Sequence, residues 1–198
     1  MKIIDNFLPE RNFADLQKII LSEKFPWFYI EHASLAPEDN NIKDPMSMET
    51  SGFYHSIYER EWDVKSFTYE YFYSFFKMLE DNFGIREQSI IRARLSMKTP
   101  KVGYTKDNYN LPHVDYYVPH DTLIFYLNNS DGDTRIFDQK YNMTGSNTGF
   151  GYDTFTIRDQ VAPVANRLLW IDGLQYHTAS NPIESNRRVI LNINLGPL

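Results

Sequence analysis

Residues 111–120 read LPHVDYYVPH, and residues 121–128 continue directly as DTLIFYLN. The second segment is a strand by its run of β-branched and aromatic residues. In an extended chain, residues i and i+2 point to the same side. Read as a strand, the first segment therefore projects His113 and Asp115 side by side. An imidazole and a carboxylate in that arrangement are competent ligands for a divalent first-row metal. His120 lies further along, next to Pro119, and leaves the metal face if residues 116–119 turn.

A third ligand has to come from elsewhere in the chain, and His177 in LQYHTASNP is the best candidate. Two His and one carboxylate form the facial triad of non-haem Fe(II) oxygenases, with open positions opposite. The last apolar segment, RRVILNINL at 187–195, sharpens this expectation. Strand alternation places Arg188, Ile190, Asn192 and Asn194 on one face and Val189, Leu191, Ile193 and Leu195 on the other. The apolar face is expected against helices and the polar face against a cavity. Arg188 suits a carboxylate, because a guanidinium donates two parallel charge-assisted hydrogen bonds. Arg187 falls in line with the apolar face and is expected at the rim.

The rest of the chain bounds the alternatives. Its 198 residues suggest a single domain over 1–198, with helical support mainly in 9–84 and a β core mainly in 88–198. A net charge of −6 makes nucleic acid a poor partner. With no cysteine, disulfides and thiolate metal sites are excluded. MKIIDNFLPE lacks the apolar run of a signal peptide, and no segment reaches the length of a membrane span. A cytoplasmic location is the expectation.

Pro9-Glu10 opens a helix with Phe13, Leu16 and Ile20 on one stripe, and 25–30 reads as a break followed by a strand. Residues 35–51 are polar and form a long loop. The spacing of Val64, Phe67, Tyr71, Phe75, Met78 and Leu79 predicts a helix over 62–83, stopped by Gly84. From 88 onward, SIIRARLSMK, DTLIFYLN, DTFTIRD, RLLWID and RVILNINL are short strands. The fold class expected is α+β, mainly β, a sandwich or barrel with N-terminal helices against one sheet. Arg92, Arg94, Ser96 and Lys98 share one face of the first of these strands, as a solvated face or as a basic strip toward substrate. Tyr104, Tyr109, Tyr116 and Tyr117 are either loop packing or an aromatic wall. His32 and His55 read as ordinary polar residues or substrate contacts, Asp172 as a turn residue near the mouth, and 140–153 as a loop that could serve as a lid.

Together these segments resemble the Fe(II)- and 2-oxoglutarate-dependent dioxygenases, in particular the prolyl-4-hydroxylase-like and small phage or bacterial branch. The matching residues are His113-Val114-Asp115, the strand from Thr122 to Asn128, Asp131-Gly132-Asp133-Thr134 with Phe137, then His177 and Arg188. MKIIDNFLPE and FPWFY resemble the opening of that branch, so the likeness spans nearly the whole chain. It implies a double-stranded β-helix, or jelly-roll, holding Fe(II) on His113, Asp115 and His177. Arg188 is implied as the anchor of the co-substrate 2-oxoglutarate, with a hydrogen bond from Tyr126 or a packing role for that ring. The implied chemistry is oxidative decarboxylation to succinate and CO2 coupled to hydroxylation of a small-molecule or peptidyl substrate, with ascorbate as a supporting reductant. Three departures stand out. Arg188 occupies a position where prolyl hydroxylases usually carry Lys, the turn has Gly132-Asp133 where two glycines are common, and the aromatic is displaced to Phe137. The competing expectations are another jelly-roll metal enzyme, cupin-like or a Zn hydrolase, and a non-catalytic binding module.

Overall fold

The structure is a computed structural model, and it describes residues 1–31, 51–144 and 155–196. Its order is β1 (Lys2–Ile4), α1 (Glu10–Ile20), β2 (Phe28–Ile30), β3 (Gly52–Glu59), β4 (Val64–Lys65), a 3-10 helix (Phe67–Phe72) and α2 (Tyr73–Phe83). Then follow β5 (Ile90–Lys98), β6 (Asp121–Tyr126), β7 (Thr134–Lys140), β8 (Ile157–Val161), β9 (Leu168–Asp172), β10 (Gln175–Ala179) and β11 (Arg188–Leu195). The large sheet runs β1-β9-β6-β11-β5-β3-β2 with β4 on β3, and the small sheet runs β10-β7-β8. The paired strands are antiparallel. This mainly-β arrangement with few helices is the jelly-roll expected from the sequence.

β11 sits at the centre of the large sheet, between β5 and β6. Its Val189, Leu191, Ile193 and Leu195 join Ala93 and Leu95 of β5 and Leu123 and Phe125 of β6 in one apolar layer. Helix α1 covers that layer with Phe13, Leu16 and Ile20, and α2 covers it with Phe75 and Leu79. Phe125 is fully buried at the junction, 4.8 Å from the Phe75 ring, 5.9 Å from Phe13 and 6.0 Å from Phe7. A second apolar cluster, with Ile124, Tyr126, Ile136, Val161, Leu169, Ile171 and Ile190, lies on the opposite face of the large sheet, toward the small one. β6 is thus buried on both faces, which is why its sequence is nearly continuous in apolar residues.

The helix expected over 62–83 forms only in its second half. Val64 is in β4, and residues 67–72 are a tighter 3-10 helix. Ser66 decides the break: its hydroxyl accepts from the Thr68 amide, and its own amide donates to the Ile57 carbonyl. The early members of the expected apolar face are consequently outward, with Phe67 71% exposed and Tyr71 42%, while Tyr69 and Phe72 turn inward. Gly84 ends α2 in the left-handed region at φ 68°, as expected of a C-terminal stop. Strand β3 carries no strong alternation and was not anticipated; it pairs with β5 and widens the large sheet. Strands β7 and β10 also lie where no strand was assigned. The loop expected at 35–51 (all but its last residue), His32 and most of the 140–153 loop are outside the described residues.

Phe125→Ala should cost about 3–5 kcal/mol, because it removes a buried ring and leaves a cavity. Phe67→Ala, on the former helix face, should cost under about 1 kcal/mol. Urea unfolding of the two variants checks this; equal losses would contradict the division of the 62–83 segment.

Candidate metal centre

His113 does not sit in a strand. A single antiparallel bridge holds it to His177, through the His113 amide to the His177 carbonyl and the reverse, both at 3.0 Å. That bridge, rather than a continuous ladder, joins the two halves of the HxD…H pattern. The ligand atoms of His113, Asp115 and His177 all lie within 4.8 Å of one another. His113 Nε2 is 4.0 Å from Asp115 Oδ1, and His177 Nε2 is 3.8 Å from Asp115 Oδ2.

The backbone sets the ring orientation. His113 Nδ1 donates to the Leu111 carbonyl and His177 Nδ1 to the Gln175 carbonyl, each at 3.0 Å. A carbonyl only accepts, so each neutral ring carries its proton on Nδ1 and turns an Nε2 lone pair toward Asp115. Burial pushes His177 down to about 4, against the opposing pull of Asp115, so its ring is neutral at neutral pH.

The Asp115 carboxylate is buried among donors from the polar face of the large sheet. Oδ2 accepts from Asn194 Nδ2 at 2.8 Å, Asn192 Nδ2 at 3.2 Å and Thr122 Oγ1 at 3.4 Å. Oδ1 accepts from Arg92 Nη2 at 3.1 Å. Burial raises its proton affinity, but Arg92, His177, His113 and the Asn194 amide outweigh it and hold the carboxyl well below the usual carboxylate range. Register explains the cluster, since Asn194 pairs with Arg92 on one side and Thr122 on the other. The two asparagines were expected on a cavity face; their grip on Asp115 was not legible, because it joins positions far apart in the chain. Two imidazoles with Nδ1 tied to backbone carbonyls and one ionised carboxylate, converging from separate segments, fit a facial divalent metal.

Arg188 faces the same interior and is 1% exposed. Its Nε donates to the Gly132 carbonyl and its Nη2 to Thr134 Oγ1, both at 2.7 Å. Tyr126 completes the group, with its hydroxyl 2.7 Å from Thr134 Oγ1 and its ring 5.6 Å from the guanidinium carbon. Gly132 makes this possible: a Cβ there would come 2.6 Å from the Ser180 carbonyl oxygen. The Asp131 carboxylate clamps the same turn by accepting from the amides of Ile183, Glu184 and Ser185. Arg187 instead donates to the Leu21 carbonyl at 3.1 Å, on the helix side.

The strip on β5 faces the interior. Arg92 holds Asp115 and lies over the Tyr116 ring, Arg94 pairs with Glu59 at 2.8 Å and lies over Tyr54, and Lys98 is buried. The tyrosines separate by role. Tyr116 borders the candidate metal centre through Arg92, Tyr109 packs on Phe137 and Arg135, Tyr104 is buried beside Asn110, and Tyr117 meets Tyr141. His120 stands outside the triad, with Nδ1 on the Val118 carbonyl and its ring against Tyr116 and Gly173. His55 is a structural residue held by Pro26, Ser66 and Thr68. Asp172 ends β9 and pairs with Lys140.

No protein-family model matches the chain, and no curated protein matches its sequence. Solved structures do match its fold. The alpha-ketoglutarate-dependent epimerase SnoN from nogalamycin biosynthesis aligns with a TM-score of 0.58 at 12% identity, covering 97% of this chain and 76% of its own. Another SnoN structure holds Fe3+, alpha-ketoglutarate and nogalamycin RO. A Trichoplax adhaerens prolyl hydroxylase, bound to a peptide fragment of hypoxia inducible factor, aligns at 0.54 with 16% identity over 98% of this chain and 82% of its own. A 2OG-Fe(II) oxygenase family oxidoreductase from Burkholderia pseudomallei aligns at 0.52 with 12% identity, over 93% and 76%. The fold is therefore that of the Fe(II)/2-oxoglutarate oxygenases. Among the described residues no helix is long and apolar enough to cross a membrane.

The buried histidine gives the metal-free protein a defined pH response. His177 stands at about 4 when folded against an ordinary 6.5, so between these values the unfolded chain binds the extra proton. Its contribution is full above 6.5 and is lost as pH falls toward 4. The loss is on the order of 3 kcal/mol. Urea midpoints of chelator-treated protein at several pH values should show a steeper acid decline than those of His177→Gln; parallel declines would refute it.

Proposed function

We propose that the protein is a 2-oxoglutarate- and O2-dependent Fe(II) dioxygenase. The observation that carries this reading is the convergence of His113, Asp115 and His177 to within 4.8 Å, in a fold shared with such enzymes. Bound Fe(II) would supply Lewis-acid binding of the 2-oxo acid and redox chemistry toward O2. The two imidazoles and the Asp115 carboxylate would hold that ion from one side and leave the other side open. Asn192, Asn194, Thr122 and Arg92 keep Asp115 ionised and fixed in orientation, as outer-shell partners do in metal sites.

Arg188 would receive the distal carboxylate of 2-oxoglutarate. Its planar fork is held by Gly132 and Thr134, which are uncharged partners, so the positive charge is left for an anion. On the interior face of β11, Ile190 alone lies between Arg188 and Asn192. The site thus has a metal end and a cationic end on one strand face, matching the two ends of an elongated 2-oxo diacid. The overall reaction converts 2-oxoglutarate, O2 and a substrate C–H group into succinate, CO2 and an alcohol. The prime substrate is a small molecule or a peptidyl residue, the two classes bound by the SnoN and prolyl hydroxylase neighbours.

Under anaerobic conditions, 2-oxoglutarate should bind only when Fe(II) is present, and succinate should form once O2 is admitted. His113→Ala and Asp115→Ala should each abolish the Fe(II)-dependent binding. Arg188→Ala should retain Fe(II) and bind 2-oxoglutarate roughly 10- to 100-fold more weakly. Calorimetry with metal analysis reads all three; a wild-type protein with no Fe(II)-dependent affinity for 2-oxoglutarate would sink the reading.

A further inference from the structure

Lys98 ends β5 directly opposite Arg188 in the register of β5 and β11. The lysine is 5% exposed and the arginine 1%. Lys98 Nζ is buried and has no hydrogen-bond partner among the described residues. Long lysines normally bury the stem and keep the ammonium in water, and here the ammonium itself is enclosed. Gly52 on β3 borders it: an ideal Cβ there would stand 4.0 Å from Nζ, an ordinary van der Waals contact.

Two buried cations side by side on adjacent strands oppose folding. Each loses hydration, and like charges directly across a sheet repel. Among the described residues no carboxylate lies within ion-pair distance of either. Asp133, which Arg188 feels electrostatically, is taken by Gln160 Nε2 at 2.5 Å. Burial, with Arg188 and Lys101 adding to it, brings Lys98 down to about 8, so it remains a cation at neutral pH. An arrangement this unfavourable is relieved by an anion placed between the two side chains.

We propose that Lys98 is a second co-substrate-binding residue: it and Arg188 bracket the distal carboxylate of 2-oxoglutarate from neighbouring strands and make the site selective for a dicarboxylic 2-oxo acid over a monocarboxylic one. This rests on the dioxygenase reading above. The guanidinium fork and the ammonium divide the work, the first fixing a carboxylate plane and the second adding a point charge.

The test compares wild type, Lys98→Met and Lys98→Gln. Affinities for 2-oxoglutarate and for pyruvate, which lacks the distal carboxylate, are measured with Fe(II) under anaerobic conditions. Melting temperatures are measured without metal or ligand. Both variants should bind 2-oxoglutarate at least about tenfold more weakly with pyruvate affinity unchanged. Lys98→Met should also melt higher than wild type, because the uncompensated buried charge is gone. An unchanged ratio of 2-oxoglutarate to pyruvate affinity, or a lower melting temperature with equal losses for both acids, assigns Lys98 a structural role and overturns the proposal. A wild-type protein that binds no 2-oxoglutarate removes the underlying reading, a result distinct from variants that bind it as well as wild type does.

Discussion

The two-faced alternation of β11 is the constraint on which the molecule depends. It lies between β5 and β6 in the large sheet, so each of its residues is committed to one of two incompatible environments. The odd-numbered set from Val189 to Leu195 joins the layer under α1 and α2. The even-numbered set from Arg188 to Asn194 looks toward the small sheet, where it supplies a cation, an apolar spacer and two amides. A one-residue slip would bury Arg188 and both asparagines under the helices and drive four apolar side chains into the polar interior. The same register therefore holds the core and the candidate site together.

The interior is organised as an anionic end and a cationic end. Asp115 is kept ionised by donors from three strands of the large sheet, β5, β6 and β11. At the other end Arg188 and Lys98 are enclosed with neutral partners or none. Neither end is an arrangement that maximises stability, since buried charge is costly unless fully paired. The sheet accepts the cost because the apolar layer on its far side is large and aromatic-rich. Phe7, Phe13, Phe75 and Phe125 interlock there by tilted and edge contacts. Stability and chemistry are thus divided between the two faces of one sheet.

Legibility followed the range of the interactions. Helix α1, the Gly84 stop and the alternation of β11 depend on neighbours a few residues away, and all could be read directly. The 62–83 segment misled because its apolar spacing fits a helix, whereas Ser66 ties into β3 and breaks the run. Strand β3 was silent because its pairing to β5, not its own pattern, makes it a strand. His113 and Asp115 were read as strand neighbours, yet they project together from a loop held by one bridge to His177.

Residue types and order alone determined a mainly β chain with helices against one sheet, a candidate ligand set of His113, Asp115 and His177, and Arg188 on a polar face. Those features rest on period-2 alternation and on the chemistry of imidazole, carboxylate and guanidinium, which are properties of the residues themselves. Tertiary structure decided what surrounds them: Asp115 gripped by Asn192, Asn194, Thr122 and Arg92, Nε2 lone pairs aimed by backbone carbonyls, and Lys98 left buried beside Arg188. These are set by register between strands distant in sequence, and register is a property of the folded sheet that no single segment contains.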